Sequence, residues 1–118
     1  MRMLVPVSVF AAFVVTAAAP AARTPAVPQA AQIEAGKALY DTQKCRTCHM
    51  IGGVGSKASS ALDGVGSKLT AADMKLWLTD PDAMTAKLKT KPKVKMKKVT
   101  LKDPDVDALV AYLMSLKK

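Results

Sequence analysis

Two thiols and one imidazole fall within one short run of the chain, Cys45-Arg46-Thr47-Cys48-His49. Residues three and four apart on a helical turn share a face, so one turn can present all three side chains together. Thiolates are nucleophiles and soft metal ligands, and imidazole is the commonest protein ligand for metals. The chain has two cysteines and one histidine in all. The spacing therefore predicts a single site built on one turn.

The Cys-x-x-Cys-His spacing is typical of covalent haem attachment. In that chemistry Cys45 and Cys48 add to the haem vinyl groups, and His49 is an axial ligand of the iron. A thioredoxin-like dithiol would require a βαβ context, which the sequence does not indicate. A zinc site would require carboxylates to complete its ligands. We interpret the motif as the attachment site of one haem c.

The first segment resembles an export signal. Arg2 precedes an apolar run over 4–15, and small residues over 17–22 supply an Ala-x-Ala-like cleavage site. An uncleaved anchor is the alternative, because the segment approaches the ~20 apolar residues that span a bilayer. We expect residues 1–22 to be a signal peptide, 23–31 a flexible Pro/Ala-rich lead-in and 32–118 the folded domain, in an exported, periplasmic protein.

The domain has few large aromatic side chains with which to fill a core. The whole chain has one Trp and two Tyr, and a domain below ~100 residues buries a modest fraction of its surface. Cysteines 45 and 48 would close too short a loop to act as a stabilising disulfide. Bound haem would supply the missing apolar volume.

Three helices are predicted. Residues 32–43 place Ile33, Gly36 and Tyr40 on one face. A second runs from Ala71 to Leu78 with Thr70 as N-cap, and Asp80-Pro81 ends it. The last has Asp103 as N-cap and Pro104 at its first position, and its apolar stripe consists of Val106, Leu109, Val110 and Leu113.

With the attachment motif, residues 32–118 resemble a class I cytochrome c. The resemblance implies an all-α fold of three to five short helices around one covalently bound haem, with crossing N- and C-terminal helices. In the family a Gly and an aromatic residue meet aliphatic and aromatic residues at that crossing, and Gly36, Tyr40, Leu109 and Tyr112 match. The family often has a proline after the motif. None occurs between residues 40 and 80 here, so the carbonyl that fixes the second nitrogen of His49 is left open.

A six-coordinate iron requires a second axial ligand, and without a second histidine we expect a methionine thioether. Met96 lies seven residues before Asp103, where the family supplies its ligand, and Met84 is the alternative. Lys97 follows Met96 where many family members have proline. The other methionines after the start residue are set aside as lost with the signal, too close to His49, in a predicted helix, or off the apolar stripe: Met3, Met50, Met74 and Met114.

Lysine occupies every second position from Lys87 to Lys97. An extended chain would place these lysines on one side, with Val94 and Met96 on the other. The formal net charge of the whole chain is +9, and residues 87–102, which we call the lysine segment, contain no acid. We expect this field to steer acidic redox partner proteins to the haem edge, the alternative being a solvated charge run.

Two other features of the sequence indicate less about function. The pentapeptide Gly-Val-Gly-Ser-Lys occurs at 53–57 and 64–68, and it lacks the Gly-Lys-Ser/Thr order of a phosphate-binding loop, so we expect turns beside the haem edge. Trp77 is left open between core packing and donation to a haem propionate.

These observations predict a periplasmic mono-haem electron carrier of a respiratory chain, not an enzyme. We expect a monomer that binds neither nucleic acid nor a small-molecule substrate, with membrane contact only through partners or a retained N-terminal segment. A haem subunit of a larger enzyme, or an open-site gas-binding or peroxidatic haem protein, is the alternative.

Overall fold

The computed structural model describes residues 28–118. The predicted signal peptide and most of the predicted lead-in lie outside the described residues. The described part contains five helices: α1 (Gln29–Thr42), α2 (Val65–Lys68), α3 (Ala71–Thr79), α4 (Pro81–Leu88) and α5 (Asp103–Ser115). A 3-10 turn at Cys45–Thr47 and a small hairpin of β1 (Met50–Ile51) and β2 (Val54–Gly55) follow α1. The predicted all-α class is confirmed.

Helices α1 and α5 cross in close contact, as the resemblance implied. A Cβ at Gly36 would lie 2.7 Å from the Tyr112 Cβ and would collide with the carbonyl oxygen of Ala108. The Tyr40 and Tyr112 rings meet edge to face, with centroids 5.8 Å apart. Gly36 and Tyr40 are the two buried residues of α1, so α1 is buried only where it crosses α5. The glycine is therefore needed for space at the crossing.

The ends of α1 and α5 differ from prediction. Helix α1 begins at Gln29, inside the segment 23–31 that we expected to be flexible. Asp103 was predicted as the N-cap of α5, and this is wrong, because Lys102 has the extended conformation of the cap and Asp103 is the first helical residue. Asp103 and Asp105 then both lie in the first turn, where their negative charges interact favourably with the positive end of the helix dipole.

Helix α3 matches its prediction and is followed by a helix that was missed. The Thr70 side chain accepts from the Asp73 backbone N–H at 3.1 Å and so caps α3. Asp80 accepts from the Ala83 N–H at 3.0 Å, with Pro81 at the first position of α4. Asp80-Pro81 was interpreted only as the end of α3. The same dipeptide is also a helix start signal.

The core lies where α5 packs on the other helices. The predicted stripe is confirmed: the side chains of Val106, Leu109, Val110 and Leu113 are all buried. They pack with Tyr40, Val65, Met74 and Leu78 in one cluster. No helix within residues 28–118 is long and apolar enough to span a membrane.

We expect Gly36→Ala to lower the free energy of unfolding by about 1–3 kcal/mol, the usual cost of overpacking a close contact. This loss would occur although alanine is the better helix former by ~1 kcal/mol. Denaturant unfolding of the pigmented protein measures it. Lys37→Ala, at the exposed neighbouring position, is the control and should change stability by less than about 0.5 kcal/mol. A more stable Gly36→Ala variant would contradict the close crossing.

Candidate functional site

The attachment motif lies on a tight turn directly after α1. The Cys45 carbonyl accepts from the backbone N–H groups of Cys48 at 3.1 Å and His49 at 2.9 Å. These two bonds close one turn over the residues that carry the thiols and the imidazole. Lys44 enters the turn with a positive φ of 58°. The one-turn arrangement expected from the spacing is present, and no disulfide joins Cys45 to Cys48.

The hairpin holds this turn from the other side. The Ser56 N–H donates to the carbonyls of both Arg46, at 3.0 Å, and His49, at 3.1 Å. Arg46 also forms an ion pair with Asp41 at the end of α1. The turn is thus bound to the elements before and after it, which fixes the direction of its side chains.

An apolar cavity of about 370 Å³ opens beside the turn. Cys45 and His49 line it at one end, whereas Cys48 is half-buried and does not line it. The volume lies in the range of small-molecule and cofactor sites. The remaining walls are mainly aliphatic and aromatic: Tyr40, Leu62, Val65, Leu69, Met74, Trp77, Leu78, Pro92, Val94, Met96 and Leu113. A large flat apolar group fits the chemistry of this lining.

The imidazole of His49 is oriented by a backbone carbonyl. Its Nδ1 lies 2.7 Å from the Ser60 carbonyl oxygen, and a carbonyl can only accept, so Nδ1 carries the proton. Nε2 is therefore the nitrogen left free to bind a metal. This contact was left open from sequence because the segment has no proline. Two backbone bonds hold the segment instead, Ser59 N–H to Cys48 O at 2.8 Å and Leu62 N–H to Met50 O at 2.9 Å.

Two methionines line the cavity. Met96 lies on the wall formed by residues 92–96, and Met74 lies on α3. Met84 is 1% exposed on α4 and does not line the cavity. Met74 had been set aside because it falls in a helix, and nothing in the sequence indicated that it would face the site. The stretch after Met96 is tied to α3 by the Val99 N–H, which donates to the Leu78 carbonyl at 2.8 Å.

The lysine segment is only partly extended. Lys87 lies in α4 and Lys89 is its C-cap, with a positive φ of 52°, so the predicted alternation is wrong there. It holds further on. Alternate residues Pro92, Val94 and Met96 line the cavity, and the lysines between and beside them are exposed: Lys91, Lys93, Lys95 and Lys97.

Two lysines of the segment bind neighbouring carboxylates. Lys87 lies 2.6 Å from Asp73 on α3, and Lys95 lies 3.0 Å from Asp82 on α4. The acids of these helices therefore lie beside the lysine segment and neutralise part of it. Among the described residues, the other six lysines of the segment have no carboxylate at ion-pair distance.

Burial perturbs two groups at the motif end of the cavity. It raises the pKa of the Tyr40 hydroxyl to about 12, with a smaller contribution from Cys45. Burial also raises the pKa of the Cys45 thiol. Both groups are therefore protonated at neutral pH. Trp77 is half-buried and lines the same cavity.

Comparison with known proteins gives one family and one relative. The family model described as Cytochrome c matches residues 33–117. A protein described as cytochrome c oxidase subunit 2, from Alkalihalophilus pseudofirmus, is 27% identical over 90 residues. That match covers 70% of this chain and 25% of the relative, so the chain spans about a quarter of that protein's length. No solved structure matches.

The Lys87–Asp73 pair predicts a pH-dependent contribution to stability. The hydrogen bond from Lys87 holds the pKa of Asp73 below its usual value, so the stabilisation is present above the unfolded pKa of about 4. It is lost as the pH falls through the lower folded value. We expect Asp73→Asn to be less stable than the native chain at pH 7, with the difference shrinking steadily as the pH falls below about 4.

Thermal unfolding measured across this pH range tests the expectation. Lys87→Gln removes the partner and should give the same profile as Asp73→Asn. Lys91→Gln, at an exposed lysine without a carboxylate at ion-pair distance, should keep the native profile. A constant stability difference between the Asp73→Asn and native proteins from pH 7 to 2 would contradict the ion pair.

Proposed function

The chain belongs to the cytochrome c family, and from that premise we propose that it is an exported mono-haem carrier whose iron is bound by His49 and Met96. Membership makes it a haem c protein of electron transfer that works with redox partner proteins. The ligand pair, the periplasmic location and the shuttling role are the parts proposed here. The observation that carries the ligand pair is that His49 and Met96 line one apolar cavity. The periplasmic location rests on the export-signal pattern of residues 1–22.

We assign the covalent attachment to Cys45 and Cys48. Their turn lies beside the cavity, and Cys45 lines it with a thiol whose pKa is raised by burial. Its formation of a thioether would remove an acidic group from a partly buried position. The fold also leaves the apolar walls around Leu62, Trp77 and Leu113 facing the cavity, and burying them against a large ring would add stability at ~25 cal/mol per Å².

His49 and Met96 have complementary roles at the iron. Bound haem supplies an iron that gains and loses one electron. The Ser60 carbonyl holds His49 in one tautomer, which reduces the reorganisation that accompanies each transfer. A thioether from Met96 is a soft ligand and raises the potential relative to a second imidazole. Two protein ligands with no open position favour a carrier over an enzyme or gas-binding protein.

The surface supports transfer to acidic proteins. Val94 is 43% exposed and also lines the cavity, so the wall that covers the cofactor is thin there. Exposed lysines flank it, and Lys91 and Lys93 have no carboxylate at ion-pair distance. An acidic partner would be drawn to this thin wall. We propose that the protein acts as a monomer and that its contacts with acidic redox partners are weak and brief.

A second candidate is a haem domain of a larger assembly. The observation in its favour is the match to an oxidase subunit, of which this chain spans about a quarter. A carrier should elute as a monomer from the native host's soluble exported fraction. Recovery only in a stable complex with an oxidase would support the subunit and contradict the carrier.

We expect Met96→Leu to abolish the near-infrared thioether-to-iron charge-transfer band of the ferric protein and to lower its midpoint potential, because the soft ligand is lost. Leucine keeps the apolar volume, so the fold should survive with a stability change under about 1.5 kcal/mol. Optical spectroscopy and redox titration measure the two effects.

The matched controls are Met74→Leu, in the cavity wall, and Met84→Leu, buried outside it. Both should keep the band. Loss of the band in Met74→Leu alone would transfer the ligand to α3, and a native protein without the band would favour the open-site alternative. Colourless protein from a host able to attach haem would reject the whole proposal.

Reversing charge beside the thin wall should change the rate of electron exchange. We expect Lys91→Glu with Lys93→Glu to slow oxidation of the ferrous protein by anionic hexacyanoferrate about tenfold at low salt. Oxidation by a cationic metal complex should become faster. Lys37→Glu with Lys117→Glu, at two exposed positions that do not line the cavity, makes the same change of net charge and is the control. Equal effects from the two double variants would contradict local steering.

A further inference from the structure

The Tyr40 hydroxyl is buried without a hydrogen-bond partner. Tyr40 is 4% exposed, and within residues 28–118 its hydroxyl oxygen is the buried side-chain polar atom that no donor or acceptor reaches. Buried polar groups in native proteins are nearly always paired, and an unpaired one is destabilising. Phenylalanine would fill the same space without that cost, so the hydroxyl calls for an explanation.

The surrounding fold prevents the hydroxyl from finding solvent. Tyr40 packs edge to face on Tyr112, at an interplanar angle of 61°, where Gly36 brings α1 and α5 into close contact. Rotation of the ring out of this position would break the crossing. A hydrogen-bond partner must therefore lie beside the hydroxyl in its present position.

The apolar cavity can hold a hydrogen-bond partner for this hydroxyl. Tyr40 and Cys45 both line it, at the end that carries the attachment motif. Burial raises the pKa of Tyr40 to about 12, so the group is protonated and can donate. The Cys45 sulfur lines the same cavity and contributes to the raised pKa of Tyr40. Its chemistry changes on attachment, from a thiol to a thioether, which accepts hydrogen bonds but cannot donate them.

We propose that the Tyr40 hydroxyl donates a hydrogen bond to the thioether sulfur formed at Cys45 and thereby raises the reduction potential of the bound haem. The proposal rests on the assignment of Cys45 as an attachment site. The sulfur is bonded to the ring periphery. The positive end of the O–H dipole at that atom stabilises the more electron-rich ferrous state.

Tyr40→Phe tests this in the full pigmented protein. At a fixed ambient potential we expect the ferrous-to-ferric ratio to fall at least about twofold, because the lost hydrogen bond is stronger in the ferrous state than in the ferric state. Tyr112→Phe keeps the ring pair and removes a hydroxyl that does not line the cavity. It is the matched control and should leave the ratio unchanged. An unchanged ratio in Tyr40→Phe, with higher thermal stability, would show an unpaired core hydroxyl and overturn the proposal.

A double-mutant comparison identifies the acceptor. In a Cys45→Ala background, with haem held through Cys48, the effect of Tyr40→Phe on the ratio should vanish. An undiminished effect would place the acceptor elsewhere and refute the contact with sulfur. If Cys45→Ala fails to retain haem, the comparison of Tyr40→Phe with Tyr112→Phe still decides whether the Tyr40 hydroxyl raises the reduction potential. The mass of the denatured native protein reports attachment separately, so a failed attachment is distinguishable from a failed hydrogen bond.

Discussion

The close approach of α1 and α5 is the contact on which the site depends. Because Gly36 has no side chain, the backbones meet at Ala108, and Tyr40 comes to lie one turn further along against Tyr112. This contact fixes the end of α1, and the motif turn follows within three residues. The position of the thiols and the imidazole relative to the core is therefore set by helix packing, although their mutual arrangement is local.

The two sides of the cavity are positioned by different means. His49 is held locally, by backbone bonds within residues 45–62. Met96 comes from an irregular segment whose direction depends on one backbone bond to Leu78 and on exposed ion pairs. Exposed ion pairs contribute little to stability. The proposed thioether ligand thus lies on the less constrained side, where binding of iron itself would add order.

The charge pattern is more mixed in space than along the chain. The lysine segment contains no acid in sequence, yet Asp73 and Asp82 lie against it. The electrostatic steering that we propose would then come from the lysines around Val94 that have no carboxylate at ion-pair distance. A surface of this kind favours frequent encounters over tight binding, as the proposed carrier would require.

The sequence by itself determined the chemistry of the motif and three of the five described helices: a five-residue motif needs one turn, and the apolar stripe of α5 needs a core. It did not determine which backbone carbonyl accepts the hydrogen bond of His49, namely that of Ser60. It also did not determine that Met74 would line the cavity or where α4 would begin. The repeated pentapeptide shows why. The first copy contains the second strand of the hairpin, Val54–Gly55, and the second copy contains the short helix Val65–Lys68. The difference arises because Gly55 packs against His49 and Gly66 against Met114. Identical local preferences are weak compared with tertiary contacts, and only the fold supplies those contacts.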